Sequence, residues 1–239
     1  MNEPRQLRTP LIRAVIFDLD GVIRHFDRTH EADIEARFGL ERGALLRAAF
    51  GGEIGQRFMR GEIGHGEFEA ALAPVLGSRS AAAEFVSMEA ILDPLAVDLV
   101  LEVQRSVDTA LLTNGSTRTR WELAQIGIDT LFEHVFNSAE TGVPKPHPEA
   151  YLAACRHLEV APEATAFIDD TQANVDGAIS AGLCAHRFTD IDGTRAFLVE
   201  CGVLRHSPAW RAGPPRGSRG RMNTCCLPRL ITLLSPSEI

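Results

Sequence analysis

The sequence lacks the features that mark membrane, secreted and disulfide-stabilised proteins. No apolar run reaches the roughly 18 residues that a membrane-spanning helix needs, and residues 1–13 lack the apolar stretch of a secretory signal. The five cysteines are odd in number, irregularly spaced and without a C-x-x-C motif. This favours reduced thiols over a disulfide framework or a zinc site. We therefore expect a protein of the cytoplasm.

Positive charge is scarce over most of the chain. The net charge is −8, and residues 207–239 hold five arginines and one acid, so residues 1–206 carry 19 basic against 31 acidic side chains. Such an acidic body argues against nucleic acid as a partner. An anionic ligand would need a local source of positive charge, which a metal ion can provide. Residues 207–239 are rich in Ser, Pro, Gly and Arg without periodicity, which predicts a disordered tail.

Short apolar runs alternate with longer helical patterns along much of the sequence. The runs that predict buried strands are residues 13–17, 109–112, 134–136, 165–168 and 184–188. The helical patterns cover residues 95–103, 117–126, 148–158 and 171–181. Pro148 suits a first helical turn, and Gly182 suits a helix end. The alternation predicts an α/β fold in which helices cover both faces of a parallel sheet.

Residues 27–92 break this alternation, because strand signals are missing there. Helix-like pieces separated by glycines cover residues 31–38, 41–50, 53–60, 67–76 and 81–92. We predict a small helical domain inserted after the first strand, ending before Asp93, a predicted helix cap followed by Pro94. The predicted domains are a discontinuous core of residues 1–26 and 93–206, a helical insert of residues 27–92, and the tail.

The first predicted strand runs directly into the segment Phe17-Asp18-Leu19-Asp20-Gly21. Two carboxylates two residues apart at a strand end can take different roles. Ionised Asp18 can attack phosphorus, and Asp20 can protonate the leaving oxygen and then activate water. Gly21 permits a sharp turn past the site. A solvated turn whose acids cap a helix would explain the same residues.

Two more polar clusters follow predicted strands. Thr113-Asn114-Gly115-Ser116 offers a hydroxyl, an amide and free backbone N–H groups at a helix start, which suits a phosphoryl group. An ordinary helix cap is the alternative for this cluster. Lys145 is flanked by prolines that stiffen the backbone, so its ammonium can hold Asp18 close to a phosphate. A surface lysine in a proline-rich loop is the alternative for Lys145.

The fourth cluster is Phe167-Ile168-Asp169-Asp170-Thr171, with Asn174 following. Adjacent acids repel unless a cation lies between them, and with Asp18 they form an oxygen-rich site suited to Mg²⁺. Capping of the next helix is the alternative. Each of the four clusters follows a separate predicted strand, and the carboxyl ends of parallel strands share the edge where ligands bind. Chance would rarely arrange the clusters in this way.

Together these motifs resemble the haloacid dehalogenase-like hydrolase superfamily over roughly residues 12–204. The resemblance rests on Phe-Asp-Leu-Asp-Gly-Val-Ile at residues 17–23, on Thr113-Asn114, on Lys145 in Lys-Pro-x-Pro, and on Phe-Ile-Asp-Asp at residues 167–170. It implies a Rossmann-like core with an inserted helical cap, of the kind found in subfamily I. It also implies a phosphatase that uses Mg²⁺ and forms an aspartyl-phosphate.

The resemblance also implies roles for the two acids of the first cluster and for the phosphate-binding residues. Asp18 is implied to be the nucleophile and a metal ligand. Asp20 is implied to be the general acid and base, and to give its backbone carbonyl to the metal. The residues implied to bind phosphate are Thr113 and Asn114, to which we add the neighbouring Gly115.

The remaining implied roles concern the lysine and the acid pair. Lys145 is implied to bridge Asp18 and the phosphate. Asp170 is implied to be the metal ligand of the fourth cluster, with Asp169 beside it. Many members carry a further acid four residues after this ligand, and here that position is Asn174.

The expected substrate is a small phosphorylated metabolite, because a cap over an active site suits small soluble esters. Arg57 and Arg60 of the cap either face the cleft or form a solvated surface. A phosphomutase is one alternative, since His30 stands ten residues after Asp20 as in such mutases, although the usual Asp-Thr pattern is missing. A dehalogenase is disfavoured by Asp20, and a non-catalytic binding protein is the remaining alternative.

Overall fold

The computed structural model describes residues 11–205, and a five-stranded parallel sheet with the order β5-β4-β1-β6-β7 forms its centre. The strands of this sheet are β1 (Ala14–Phe17), β4 (Asp108–Thr113), β5 (His134–Asn137), β6 (Thr165–Asp169) and β7 (Cys184–Arg187). The predicted α/β fold with a Rossmann-like parallel sheet is confirmed. The predicted tail, residues 207–239, lies outside the described residues.

The helices and two further strands complete the described part of the chain. The two strands are β2 (Arg24–Phe26) and β3 (Ala90–Leu92). The helices between them are α1 (Arg28–Arg37), α2 (Ala44–Phe50), α3 (Glu53–Met59), α4 (His65–Leu76) and α5 (Arg79–Val86). The later helices are α6 (Pro94–Val103), α7 (Thr119–Gln125), α8 (Ser138–Thr141), α9 (Pro148–His157), α10 (Gln172–Ser180) and α11 (Ile191–Glu200). Within residues 11–205, no helix combines the length and the apolar character needed to cross a membrane.

The central strand β1 is buried along its whole length, as expected for a strand covered on both faces. Side chains alternate between the two faces of a strand. Val15 and Phe17 therefore pack into one apolar layer, with α6 and α11, while Ile16 packs into the other, with α9 and α10. The core thus consists of two apolar layers with β1 between them.

The helical insert has an apolar core of its own. Leu45, Phe58, Phe68 and Leu72 are buried in it, and the Phe58 and Phe68 rings stack with centroids 3.9 Å apart. This cluster shares none of its members with the two layers around the sheet. The separate core supports the division into core domain and insert, and the exact boundaries stay a prediction.

The end of the insert differs from the prediction. The helical piece predicted over residues 81–92 ends at Val86, and residues 90–92 form β3, which pairs antiparallel with β2. Neither strand was predicted, because a three-residue strand is stabilised mainly by a partner that is distant in sequence and leaves little local pattern. The chain therefore enters and leaves the insert through two paired strands. The predicted cap is confirmed: Asp93 Oδ1 accepts from the backbone N–H of Leu95 at 2.9 Å.

Candidate active site

The sheet register brings the four predicted clusters to one edge. In β1, Phe17 lies beside Leu111 of β4 and Ile168 of β6, so all three strands end at nearly the same level. Asp18 directly follows β1, and Asp169 is the last residue of β6. The strand ends thus place the first and fourth clusters side by side, as the parallel topology requires.

Lys145 joins these two clusters. Its Nζ lies 2.7 Å from Asp18 Oδ1 and 2.7 Å from Asp169 Oδ2, and the residue is only 4% exposed. Burial lowers the pKa of the Lys145 ammonium, but the attraction of the two carboxylates outweighs it and leaves the pKa raised. Lys145 is therefore a buried charged group, not the surface lysine of the alternative interpretation. It is also the only lysine in the sequence.

The backbone of Lys145 is held by Asn114. Asn114 Nδ2 donates to the carbonyl oxygen of Lys145 at 2.8 Å, and its Oδ1 accepts from the N–H of Lys145 at 2.7 Å. Two opposed hydrogen bonds fix both the position and the orientation of the lysine backbone. Because Asn114 was predicted only to bind phosphate, this contact gives its side chain a second role.

Asp18 is buried and its carboxylate is partly neutralised. The residue is 6% exposed, and its Oδ1 accepts from the N–H of Leu19 at 2.7 Å and from Lys145. Burial raises the pKa of the Asp18 carboxyl well above its usual range, and the Lys145 ammonium opposes the effect without cancelling it. The predicted role of Asp18 as nucleophile requires an ionised carboxylate, which more positive charge than that of Lys145 would favour.

Three carboxylates form a group that fits a divalent cation. Asp18, Asp169 and Asp170 each offer an oxygen, and these oxygens lie within 4.8 Å of one another. With Lys145, three carboxylates and one ammonium give a formal charge of −2. Mg²⁺ prefers oxygen ligands and is commonly bound through one or two carboxylates. The donors, their spacing and their charge therefore suit Mg²⁺.

Asp169 and Asp170 differ in how many donors they already meet. Asp169 is fully buried, and its two oxygens accept from Lys145 Nζ, from the N–H of Thr171 at 2.8 Å and from Asn174 Nδ2 at 3.0 Å. Asp170 accepts only from the Thr171 hydroxyl, at 3.1 Å, among the described side-chain hydrogen bonds. The Asp170 carboxylate thus has more oxygen lone pairs left for a metal ion, whereas Asn174 holds the Asp169 carboxylate in place.

Asp20 is not a member of this group of three carboxylates. Its side chain is 39% exposed, and its Oδ1 lies 2.6 Å from Nε of the buried Arg24. Its carboxylate is not among the clustered carboxylates found in the described residues. The predicted metal contact of Asp20 involves its backbone carbonyl, and it stays a prediction.

The predicted phosphate-binding residues lie at the end of β4, with Thr113 in the strand and Asn114 and Gly115 directly after it. Thr113 is buried at the last position of this strand, paired in register with Asn137 of β5. A Cβ on Gly115 would lie 2.3 Å from the Thr119 hydroxyl and 2.8 Å from Asn137 Oδ1, so only glycine fits here. The loop after β4 is thus closely packed, and its role in phosphate binding stays a prediction.

The cap residues singled out from the sequence lie at the surface. His30 is exposed in the first turn of α1. Arg57 and Arg60 both pair with Glu62, at 3.6 Å and 2.6 Å. These contacts favour a solvated surface with ion pairs for the two arginines.

Comparison with known proteins identifies the family. The family model described as "haloacid dehalogenase-like hydrolase" matches residues 12–182, which is most of the chain. The chain belongs to this family. The resemblance inferred from the motifs is therefore confirmed at the level of the superfamily, and the cap subclass stays a prediction.

Individual relatives extend the comparison. Phosphatase MT3486 of Mycobacterium tuberculosis is 32% identical over 79% of this chain and 92% of its own length. A glyceraldehyde 3-phosphate phosphatase of Methanopyrus kandleri is 36% identical, but the match covers 32% of this chain and 34% of that relative. This chain thus spans about a third of that phosphatase. A family enzyme from Bacteroides thetaiotaomicron, solved with magnesium and inorganic phosphate, has a TM-score of 0.60 and 23% identity over 74% of this chain and 93% of that chain. At that identity the likeness shows the fold.

Three contacts at the site were not predicted from the sequence. They are the ion pair of Arg24 with Asp20, the hydrogen bonds between the Asn114 side chain and the Lys145 backbone, and the hydrogen bonds from Asn174 to Asp169. An asparagine at position 174 in place of an acid was the single sequence signal for any of them.

Gly21→Ala is expected to weaken Mg²⁺ binding about 10- to 100-fold, the usual effect of disturbing groups around a metal ligand. Gly21 has a φ of +87°, and a Cβ there would lie 2.2 Å from Asp170 Oδ2, so the Asp170 carboxylate must move. Calorimetric titration of the purified protein with Mg²⁺ measures the effect. Gly39→Ala is the matched control, because its φ is +67° and nothing lies within 4 Å of its Cβ position. Equal Mg²⁺ affinities of the two variants would contradict the prediction.

Proposed function

We propose that this family member is a magnesium-dependent phosphatase that hydrolyses a small phosphate monoester through an aspartyl-phosphate intermediate. The observation that carries the proposal is the buried contact of Lys145 with both Asp18 and Asp169, beside the carboxylate of Asp170. This arrangement supports the proposal because it brings a carboxylate, a fixed ammonium and further oxygens that could hold a metal ion to one place. If the acidic clusters only capped helices, as in the alternative interpretation, no buried contact between Lys145 and the two aspartates would be needed.

In the first step, Asp18 is the proposed nucleophile. One of its oxygens bonds to phosphorus while the bond from phosphorus to the ester oxygen breaks. Asp20 gives its proton to the departing ester oxygen, so the product leaves as a neutral alcohol. Bound Mg²⁺ would supply positive charge toward the phosphate oxygens, and Asp18, Asp170 and the backbone carbonyl of Asp20 would hold it.

In the second step, water releases the phosphate. Asp20, now ionised, takes a proton from a water molecule as that water attacks phosphorus, and the bond to Asp18 breaks. Inorganic phosphate leaves, and both acids return to their starting states. One residue can serve as acid and then as base because the first step leaves it deprotonated.

The remaining residues orient the phosphoryl group. Lys145 is proposed to lie between Asp18 and the phosphate and to reduce their repulsion. Thr113, Asn114 and Gly115 are proposed to donate to phosphate oxygens through the Thr113 hydroxyl and backbone N–H groups, since the Asn114 side chain already bonds to Lys145. Asp169 is proposed to position Lys145 beside the metal. It is proposed to be a weaker ligand of the ion than Asp170, because its oxygens already accept hydrogen bonds from Lys145, Thr171 and Asn174.

The proposed substrate class is the small phosphorylated metabolite. Two relatives are named as phosphatases, and one of them acts by name on glyceraldehyde 3-phosphate. The presence of Asp20 favours ester hydrolysis over dehalogenation, because an alkoxide leaving group needs a proton and a halide does not. We also propose that the protein works in the cytoplasm, on the pattern of its cysteines.

The test is a hydrolysis assay on the purified chain with p-nitrophenyl phosphate and about a hundred phosphorylated metabolites. We expect release of inorganic phosphate from at least one ester, loss of this activity in EDTA, and its return when Mg²⁺ is added. Turnover of no ester in the presence of Mg²⁺ would overturn the proposal. Activity that requires a sugar bisphosphate and releases no phosphate would point to a mutase. Release of halide from a 2-haloacid in EDTA would point to a dehalogenase.

A further inference from the structure

Arg24 is a buried arginine with a carboxylate at each end of its guanidinium. Its Nε lies 2.6 Å from Asp20 Oδ1, and its Nη2 lies 3.1 Å from Glu122 Oε2. The side chain is only 5% exposed. Burial lowers the pKa of the guanidinium, but Asp20 and Glu122 outweigh it and leave the pKa raised. The arginine is therefore a permanent charge held between two acids.

The backbone of Arg24 closes the turn that carries Asp20. The N–H of Arg24 donates to the carbonyl of Leu19 at 3.0 Å, and the N–H of Gly21 donates to the carbonyl of Arg24 at 2.8 Å. Asp20 lies between these hydrogen bonds in the sequence. Arg24 thus restrains the backbone of the turn and the side chain of Asp20 at the same time.

Glu122 anchors the far end of the guanidinium. It lies on α7, the helix that follows the predicted phosphate-binding loop, whereas Arg24 begins β2, the strand that leads to the insert. A guanidinium that bonds to two carboxylates on different elements has little freedom to rotate. The direction of its Nε–H toward Asp20 is therefore fixed by a contact outside the turn.

We propose that Arg24 is a positioning residue for Asp20, held in place by Glu122. The Nε–H of Arg24 donates to one carboxylate oxygen of Asp20, Oδ1, which leaves the other oxygen, Oδ2, for the proton transfer in which Asp20 is proposed to act. The inference rests on the proposed function, because it assumes that Asp20 is the general acid. It assigns a role to a residue that none of the predicted motifs includes.

The chemistry of the leaving group separates this role from a purely structural one. When Asp18 bonds to phosphorus and an alkyl ester oxygen leaves, the Asp20 proton must pass to that oxygen. A p-nitrophenolate ion is stable without a proton, so its departure does not need a well-placed acid. The ratio kcat/KM covers the steps up to the first irreversible one, here loss of the alcohol, and excludes the later water attack.

The experiment compares kcat/KM for p-nitrophenyl phosphate with kcat/KM for the alkyl phosphate that the wild type hydrolyses fastest. For Arg24→Gln we expect about a tenfold to hundredfold loss on the alkyl ester, the range for a misplaced catalytic group, and less than about threefold on the nitrophenyl ester. Arg24→Lys keeps the charge but loses the planar fork, and we expect it to recover part of the alkyl activity. Glu122→Gln removes the anchor alone and should shift the same ratio by a smaller factor.

Arg195→Gln is the matched control. Arg195 pairs with Glu102 at 2.6 Å between α11 and α6, so its loss removes an ion pair of the same length, though a more exposed one, without touching the turn. We expect its ratio of the two kcat/KM values to equal that of the wild type. If Arg24→Gln proves unstable by circular dichroism, Arg24→Lys and Glu122→Gln carry the same comparison.

Two results would overturn the inference, and they are distinguishable. A wild type that hydrolyses both esters, with Arg24 variants that lose both activities equally or lose neither, refutes the role of Arg24 and leaves the phosphatase proposal intact. A wild type that hydrolyses neither ester with Mg²⁺ refutes the phosphatase proposal and the inference with it.

Discussion

Asp18→Asn is expected to reduce phosphate-ester hydrolysis by at least about a thousandfold, because a neutral amide cannot act as the proposed nucleophile. The amide is nearly the same size as the carboxylate, so the change leaves the packing around this buried position intact. It replaces an oxygen that Lys145 contacts at 2.7 Å with a weaker neutral acceptor or a donor. Initial rates with saturating Mg²⁺ measure the effect.

A matched control and a direct observation make this prediction specific. Asp108 is an exposed aspartate at the start of β4, at the opposite edge of the same sheet, and Asp108→Asn is expected to keep wild-type activity. Acid-quenched wild type should carry one phosphoryl group on the peptide that contains Asp18, detectable by mass spectrometry, and Asp18→Asn should carry none. Retained activity in Asp18→Asn, or a phosphoryl group on another residue, would contradict the assignment.

Lys145→Met is expected to have the largest effect on stability. The ammonium lies 2.7 Å from Asp18 and 2.7 Å from Asp169, and removing one partner of a buried ionic group costs about 3–5 kcal/mol in the free energy of unfolding. Activity should fall by about a hundredfold or more, since the change removes the cation that is proposed to lie between Asp18 and the phosphate. Denaturant unfolding in EDTA measures the stability, and the ester assay measures the activity.

The pH dependence of this destabilisation has a definite sign. Burial already raises the pKa of Asp18, and loss of the ammonium is expected to raise it further. The folded variant then holds a proton that the unfolded chain releases above the ordinary pKa of an aspartate, about 4. Stability therefore falls as the pH rises from about 4 toward neutral, and the difference between variant and wild type should grow over that range.

A second substitution tests the same explanation. Adding Asp169→Asn to Lys145→Met removes one of the two carboxylates left facing each other, so the double variant should regain part of the lost stability. Mg²⁺ should also reduce the loss, because it restores positive charge at the site. If Lys145→Met unfolds in EDTA at the wild-type denaturant concentration, the ammonium does not stabilise the acid cluster.

Much of the fold could be predicted because its signals are local. The apolar run before Asp18, Ala14–Phe17, is buried on both faces, and its apolar composition alone predicts a strand. The Asp93-Pro94 pair marks a helix start through its own hydrogen bonds, which need no distant partner. By contrast, β2 and β3 were missed because each is three residues long and is stabilised by the other from across the insert.

The site divides in the same way. Each of the four clusters follows a predicted strand. Their meeting at one edge of the sheet could be predicted, because parallel strands bring their carboxyl ends to the same edge. The hydrogen-bond donors around Asp169 could not be predicted, because Lys145 and Asn174 reach its carboxylate from different segments of the chain.

The sequence by itself determined the chemical groups at the site, namely two acids at one strand end, an acid pair at another, and a single lysine. It also determined the fold class, because the period of the apolar residues sets the type of each element. Only the tertiary structure decided the further partners: Arg24 with Glu122, Lys145 with Asp169, and Asn114 with the Lys145 backbone. Hydrogen bonds act over about 3 Å, and groups that are far apart in the sequence come that close only once the sheet has assembled.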